Sequence, residues 1–98
     1  MDNYIEKIEL NLFEIIKNIK NPSILEFGVQ SGESTIRFLD LCNKNNGYLY
    51  SVDIDDCSKV SNDKRWKFIK TRDDNFDIVK SQIPKELDVI FIDSVHEA

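Results

Sequence analysis

Ile5, Ile8, Leu12, Ile15, Ile16 and Ile19 recur at the three- and four-residue steps of a helix, with Glu6, Lys7, Glu9, Glu14, Lys17 and Lys20 between them. This stripe, widened by Phe13, predicts an amphipathic helix over residues 3–20 that packs on something flat and ends at Asn21-Pro22. The pattern then changes period. "SILEF" (23–27) is a continuous apolar run of strand length, followed by a glycine turn. A second helical pattern begins at Glu33-Ser34 and turns Ile36, Phe38, Leu39, Leu41 and Cys42 inward until "NKNNG" (43–47) breaks it. "YLYSVDI" (48–54) and "WKFIK" (66–70) read as strands, and the polar stretch between them leaves room for a helical turn or two. "NFDIVKSQI" (75–83) reads as a short helix closed by Pro84, and "LDVIFID" (87–93) as a fourth strand.

This alternation builds right-handed crossover units on a parallel sheet. The near-continuous apolar character of 23–27 and 87–93 is that of strands covered on both faces. The expected fold is α/β: a parallel sheet with helices on both faces. Residues 1–98 are expected to form one small domain, a helix over 1–20 and a core over 22–98.

Charge narrows the partners. Thirteen Lys and Arg against 18 Asp and Glu leave a net charge of −5, which argues against a nucleic-acid backbone or an anionic membrane as the main partner. The charges within the first twenty residues exclude a signal-peptide core or a membrane span there, so a cytoplasmic location is expected. Cys42 and Cys57 lack any C-x-x-C or Cys/His spacing and are expected to be reduced thiols.

In open parallel sheets ligands bind beyond the carboxyl ends of the strands, so each strand end is a candidate site. At the first, "SILEFGVQSGES" places Glu26, Gly28 and Gly32 ahead of a helix that opens with Glu33, Ser34 and Thr35. The glycines permit a tight turn and keep side chains away from a ligand, and the helix amides can hold an anionic group. The spacing G-x-x-x-G is neither the G-x-G-x-x-G of dinucleotide sites nor a phosphate loop. A carboxylate at the loop repels a diphosphate but suits a ligand carrying an amino group. The bland reading of this string is a tight strand-to-helix turn without a ligand.

"EFGVQSGEST" resembles the first motif of the class I S-adenosylmethionine-dependent methyltransferases, in which the glycine loop holds the methionine end of the cofactor. A nucleoside also needs an acid at the second strand end to receive the ribose hydroxyls, and "YSVDIDD" offers Asp53 there, ahead of Asp55 as second choice. Asp55 and Asp56 otherwise read as a solvated, helix-capping turn. At the third strand end the resemblance points to Asp73 for the adenine; Asp73 or Asp74 as N-cap of the next helix is the competing reading. At the fourth, "DVIFIDSVHEA" ends in Asp93, which the resemblance implies faces the transferred methyl group, with His96 three residues on as a candidate general base or else an exposed polar residue. This D-x-x-H form looks like the branch of small-molecule O-methyltransferases and cephalosporin-biosynthesis-type enzymes. The resemblance thus implies a small-molecule substrate and allows Mg²⁺ with Asp93 as one ligand, although one aspartate is an incomplete magnesium site.

The resemblance implies a Rossmann-like sheet in the order 3-2-1-4 that in the family continues past a fourth strand, so residues 1–98 read as a single partial domain truncated there, with 22–98 as the S-adenosylmethionine-binding core. Strand 87–93 then becomes an edge without lysine, proline or bulge to protect it, and a homo-oligomer joined through that edge is expected. A non-catalytic Rossmann-like interaction module and, further off, an NAD-binding oxidoreductase domain are the alternatives.

Overall fold

The computed structural model describes residues 12–92. Residues 12–16 are helical (α1); then follow β1 (Ser23–Phe27), α2 (Glu33–Asn45), β2 (Tyr48–Asp53), a 3₁₀ turn (Ser58–Val60), β3 (Trp66–Lys70), α3 (Phe76–Gln82) and β4 (Val89–Ile92). The four strands form one parallel sheet in the order β3-β2-β1-β4, the Rossmann-like order expected. The register sets Glu26 of β1 level with Ser51 of β2 and Phe91 of β4, and Asp53 level with Lys70 of β3.

Strand alternation divides the apolar residues between two faces. On one face Ile24, Leu49 and Phe91 pack with Phe38, Leu39 and Cys42 of α2 and with Ile16 of α1. Phe38 stands edge-on to both Phe13 and Phe91, with ring centroids 5.0 and 5.3 Å away. Each such side chain contributes about 1.5–3 kcal/mol when removed from water. On the other face Leu25, Val52 and Ile69 pack against Val79 of α3, flanked by Phe27, Tyr50, Ile83 and Leu87.

Several expectations need correction. α1 is helical only to residue 16, short of Asn21-Pro22, because the Asn45 side chain meets its end: Asn45 Nδ2 donates to the carbonyls of Ile16, Lys17 and Ile19 at 3.4, 2.9 and 3.1 Å. Ile15 is exposed while Ile16 is buried, since one helical step rotates a side chain by about 100° and only one of two neighbours can face the sheet. Ile36 is half exposed for the same reason, between the buried Thr35 and Phe38. β2 ends at Asp53, so Ile54 lies beyond the strand and is exposed. β4 is covered on one face only: Phe91 is buried, whereas Ile90 and Ile92 are 58% and 68% exposed, because α3 is seated over β1, β2 and β3. Among the described residues no helix is long and apolar enough to cross a membrane.

The return from α2 to β2 depends on a close approach. Asn46 takes a left-handed conformation (φ 58°) and caps α2 through its N–H to the Cys42 carbonyl. At the following Gly47 a Cβ would lie 2.5 Å from the Pro22 carbonyl oxygen.

Candidate functional site

The loop after β1 is a backbone construction. Gly28 and Gly32 both have positive φ (98° and 91°), and Gln30 between them sits at φ 52°, which carries a steric penalty of about 1 kcal/mol for a residue with a Cβ. Gly28 N–H extends the β1–β2 ladder to the Val52 carbonyl (2.8 Å), and Gly32 N–H closes a turn on Val29 (2.9 Å). Gly32 then serves as N-cap of α2 and supplies no capping side chain. A Cβ at Gly32 would come within 2.5 Å of Val60 Cγ1, so the space that this glycine leaves is filled by the 3₁₀ turn after β2.

Asp53 binds this loop to the end of β2. Its Oδ2 accepts from the amides of Val29 (2.8 Å) and Gln30 (3.2 Å), and its Oδ1 from Asp55 N–H (3.0 Å). Partial burial pushes its carboxyl pKa up, but the amides of Asp55, Val29 and Gln30 and the Cys57 thiol together outweigh burial and hold it below the usual aspartate value. The sequence paired Asp53 with the glycine loop through a ligand; the structure joins them directly. Three of the roughly four acceptor positions of the carboxylate are thereby taken by backbone. The Cys57 thiol, a weak donor, borders the group, and burial followed by the Asp53 charge raises the thiol's own pKa. Asp56 accepts from Ser58 N–H (3.1 Å) and Ser58 Oγ (2.6 Å), the turn-capping role open to it from sequence.

Glu26 lies beneath the loop. It is fully buried, on the face that carries α2. Its Oε1 accepts from Thr35 Oγ1 in the first turn of α2 (2.6 Å) and from Ser51 Oγ on β2 (2.8 Å). Ser51 Oγ in turn accepts from Trp66 Nε1 of β3 at 2.9 Å. The 2.6 Å contact has the length of a charge-assisted hydroxyl–carboxylate bond. Ser34, the neighbouring candidate, is buried in the same first turn.

At the third strand end Thr71 N–H donates to the Asp53 carbonyl (3.0 Å), bringing this loop beside Asp53. Asn75 is the N-cap of α3, so neither Asp73 nor Asp74 has that position. Asp74 is paired with Arg72 at 3.1 Å on the surface, and Asp73 is half-buried in the turn. Asp93 and His96 lie outside the described residues. Sequence reading gave no role to Thr35, Ser51 and Trp66, which come together at Glu26 only once α2, β2 and β3 are assembled around β1. It also passed over Ile54 and Phe76, 62% and 64% exposed just beyond β2 and at the start of α3, whose apolar character at strand ends was a signal in reach.

No group of three or more His, Cys, Asp or Glu side chains that could hold a metal ion occurs among the described residues. Both cysteines are free, and burial pushes the Cys42 thiol up to about 12. An open hollow of about 570 Å³ lined by Lys17, Lys20, Lys44 and several asparagines lies at the amino ends of β1 and β2, away from the carboxyl ends where such sheets bind ligands.

The strand ends therefore meet in a loop without side-chain bulk at Gly28 and Gly32, held by an ionised aspartate from one side and a buried glutamate from below. Comparison with curated proteins gives no match. A family model described as "Methyltransferase domain" matches residues 25–98, from the middle of β1 through every strand end considered above. By that match, which spans most of its length, the chain belongs to the methyltransferase-domain family.

Proposed function

We propose that the chain binds S-adenosylmethionine at the carboxyl ends of β1 to β3 and serves methyl transfer to a small-molecule acceptor, with oxygen as the accepting atom. The observation that carries this reading is the Asp53 carboxylate gripping a loop between two positive-φ glycines, within a chain of the methyltransferase family. When bound, the cofactor supplies an electrophilic methyl group on a sulfonium.

The residues present fit such a group. Asp53 keeps acceptor capacity on Oδ1 beyond the Asp55 amide, and a ligand hydroxyl is a better donor there than the neighbouring thiol of Cys57. Gly28 and Gly32 shape the main chain, and Ser34 stands in the first turn of α2. Glu26 sets a carboxyl group beneath the loop, and its ionised form favours a ligand bearing an ammonium and a sulfonium over a diphosphate. Exposed Ile54 and Phe76 offer apolar surface for a base, with Asp73 near its exocyclic amine. In this reading Asp93 and His96 of the sequence motif, which lie outside the described residues, are assigned to the reacting centre and to the acceptor's proton. The described residues do not assemble magnesium ligands, and magnesium has no part in the proposal.

Titration calorimetry with S-adenosylhomocysteine tests the reading. A dissociation constant on the order of micromolar, at least tenfold weaker after Asp53→Ala, is expected, with no heat from NAD. Binding of NAD in preference, or of neither ligand, refutes it.

A further inference from the structure

Ser51 and Trp66 have no place in the sequence reading of the site, and neither needs to touch a ligand. They belong to a buried chain of hydrogen bonds crossing the sheet: Trp66 Nε1 to Ser51 Oγ (2.9 Å), Ser51 Oγ to Glu26 Oε1 (2.8 Å), and from the other side Thr35 Oγ1 to the same oxygen (2.6 Å). Glu26, Thr35 and Ser51 are all fully excluded from water. An ionised carboxylate in such a place is costly unless firmly satisfied, and an apolar residue would fill the volume at less expense to stability. What the polar arrangement adds is direction. Thr35 lies in the first turn of α2, three residues after the Gly32 N-cap, and that cap supplies no side chain of its own. The anchoring of this helix start thus passes through Thr35 to Glu26, and the Glu26 carboxylate is oriented by Ser51, itself oriented by Trp66.

We propose that Ser51 and Trp66 are positioning residues of the cofactor site, acting through Glu26 and Thr35 to set the start of α2 and the Gly28–Gly32 loop. The role as ligand-positioning device rests on the reading of the site given above; the mechanical link does not. Neither residue enters the chemistry. Fixing the loop before the ligand arrives removes an ordering penalty from binding, so loosening it appears as weaker affinity.

The test compares Ser51→Ala, Ser51→Thr and Trp66→Phe with the unaltered chain, each checked for folding by circular dichroism. Two readouts are taken: hydrogen exchange of the amides from Val29 to Ile36 without ligand, and calorimetric affinity for S-adenosylhomocysteine. Ser51→Ala and Trp66→Phe are expected to speed exchange from Gly32 to Ile36 and to weaken binding about tenfold, equivalent to about 1.4 kcal/mol. Ser51→Thr keeps the hydroxyl and is expected to restore both readouts to within about threefold, a rescue that general loss of stability does not give. Unchanged exchange in the Ala and Phe variants, or unchanged affinity despite faster exchange, overturns the proposal. Should Ser51→Ala fail to fold, Trp66→Phe, which keeps an aromatic ring, decides alone. If the unaltered chain binds no S-adenosylhomocysteine, the cofactor reading fails and the ligand-positioning role with it, while exchange still decides whether Ser51 and Trp66 hold the loop.

Discussion

Removing the Asp53 carboxylate takes away one group that satisfies three backbone amides, and the size of the loss follows from where those amides lie. The bond from Val29 is partly buried, and a hydrogen bond to a charged acceptor there is worth about 1 kcal/mol net after discounting for solvent. Those from Gln30 and Asp55 are exposed, where water replaces the lost acceptor, so about half as much each is reasonable. Asp53→Ala is therefore expected to lower stability at pH 7 by about 2 kcal/mol, which for a chain of this size shifts a urea midpoint by roughly 1–2 M. The pH dependence adds a second constraint. Because the folded-state pKa is held below the unfolded value, the stabilisation is complete above the unfolded aspartate pKa of about 3.9 and disappears as pH falls through the folded value. Urea titrations followed by circular dichroism from pH 7 to pH 3 should show the difference between the two proteins constant down to about pH 5 and closing below about pH 4. A variant as stable as the parent at pH 7, or a gap that widens on acidification, refutes the argument that this carboxylate holds the loop.

Two further outcomes depend on other features. Gly47→Ala should lower thermal stability more than Gly32→Ala: at Gly47 the new Cβ meets the Pro22 main-chain oxygen at 2.5 Å, whereas at Gly32 it meets the Val60 side chain, which can shift, although φ 91° remains strained. Thermal melts of the two variants check this, and equal melting temperatures contradict it. We further propose that the uncovered edge at β4, with Ile90 and Ile92 exposed, joins a second copy of the chain; sedimentation velocity should show a concentration-dependent dimer that Ile92→Lys abolishes, and a monomer at every concentration removes the idea.

Local pattern was enough to read the strands because each is a short apolar run bounded by Gly, Asn, Asp or Pro. β1 and β3 fall at the expected residues, and the order 3-2-1-4 that the family resemblance implied is the order observed. Helix faces were less legible. Adjacent apolar pairs such as Ile15-Ile16 leave the buried member undecided until the sheet is present, and the end of α1 is set by Asn45, far along the chain. The site divides in the same way. Asp53 and the glycines could be read because their chemistry is local to strand ends. The partners of Glu26 could not, because Ser51 lies 25 residues away and Trp66 reaches Glu26 only through it.

The two acids act on the loop differently. Asp53 takes the amides of Val29 and Gln30, the first half of the loop, and is partly open to water and any ligand at the strand ends. Glu26 takes the hydroxyl of Thr35 at the far end, from a position that water does not reach. A single acceptor would leave the loop free to pivot about its other end; two acceptors, one per end and on different strands, define its path without a ligand. The strained φ of Gln30 is consistent with this, since a non-glycine residue keeps a left-handed conformation only where its surroundings fix it. It follows that the site is shaped before it is filled. Binding there should owe more to complementarity than to induced order, and substitutions at the buried end should weaken it without altering any group that a ligand meets.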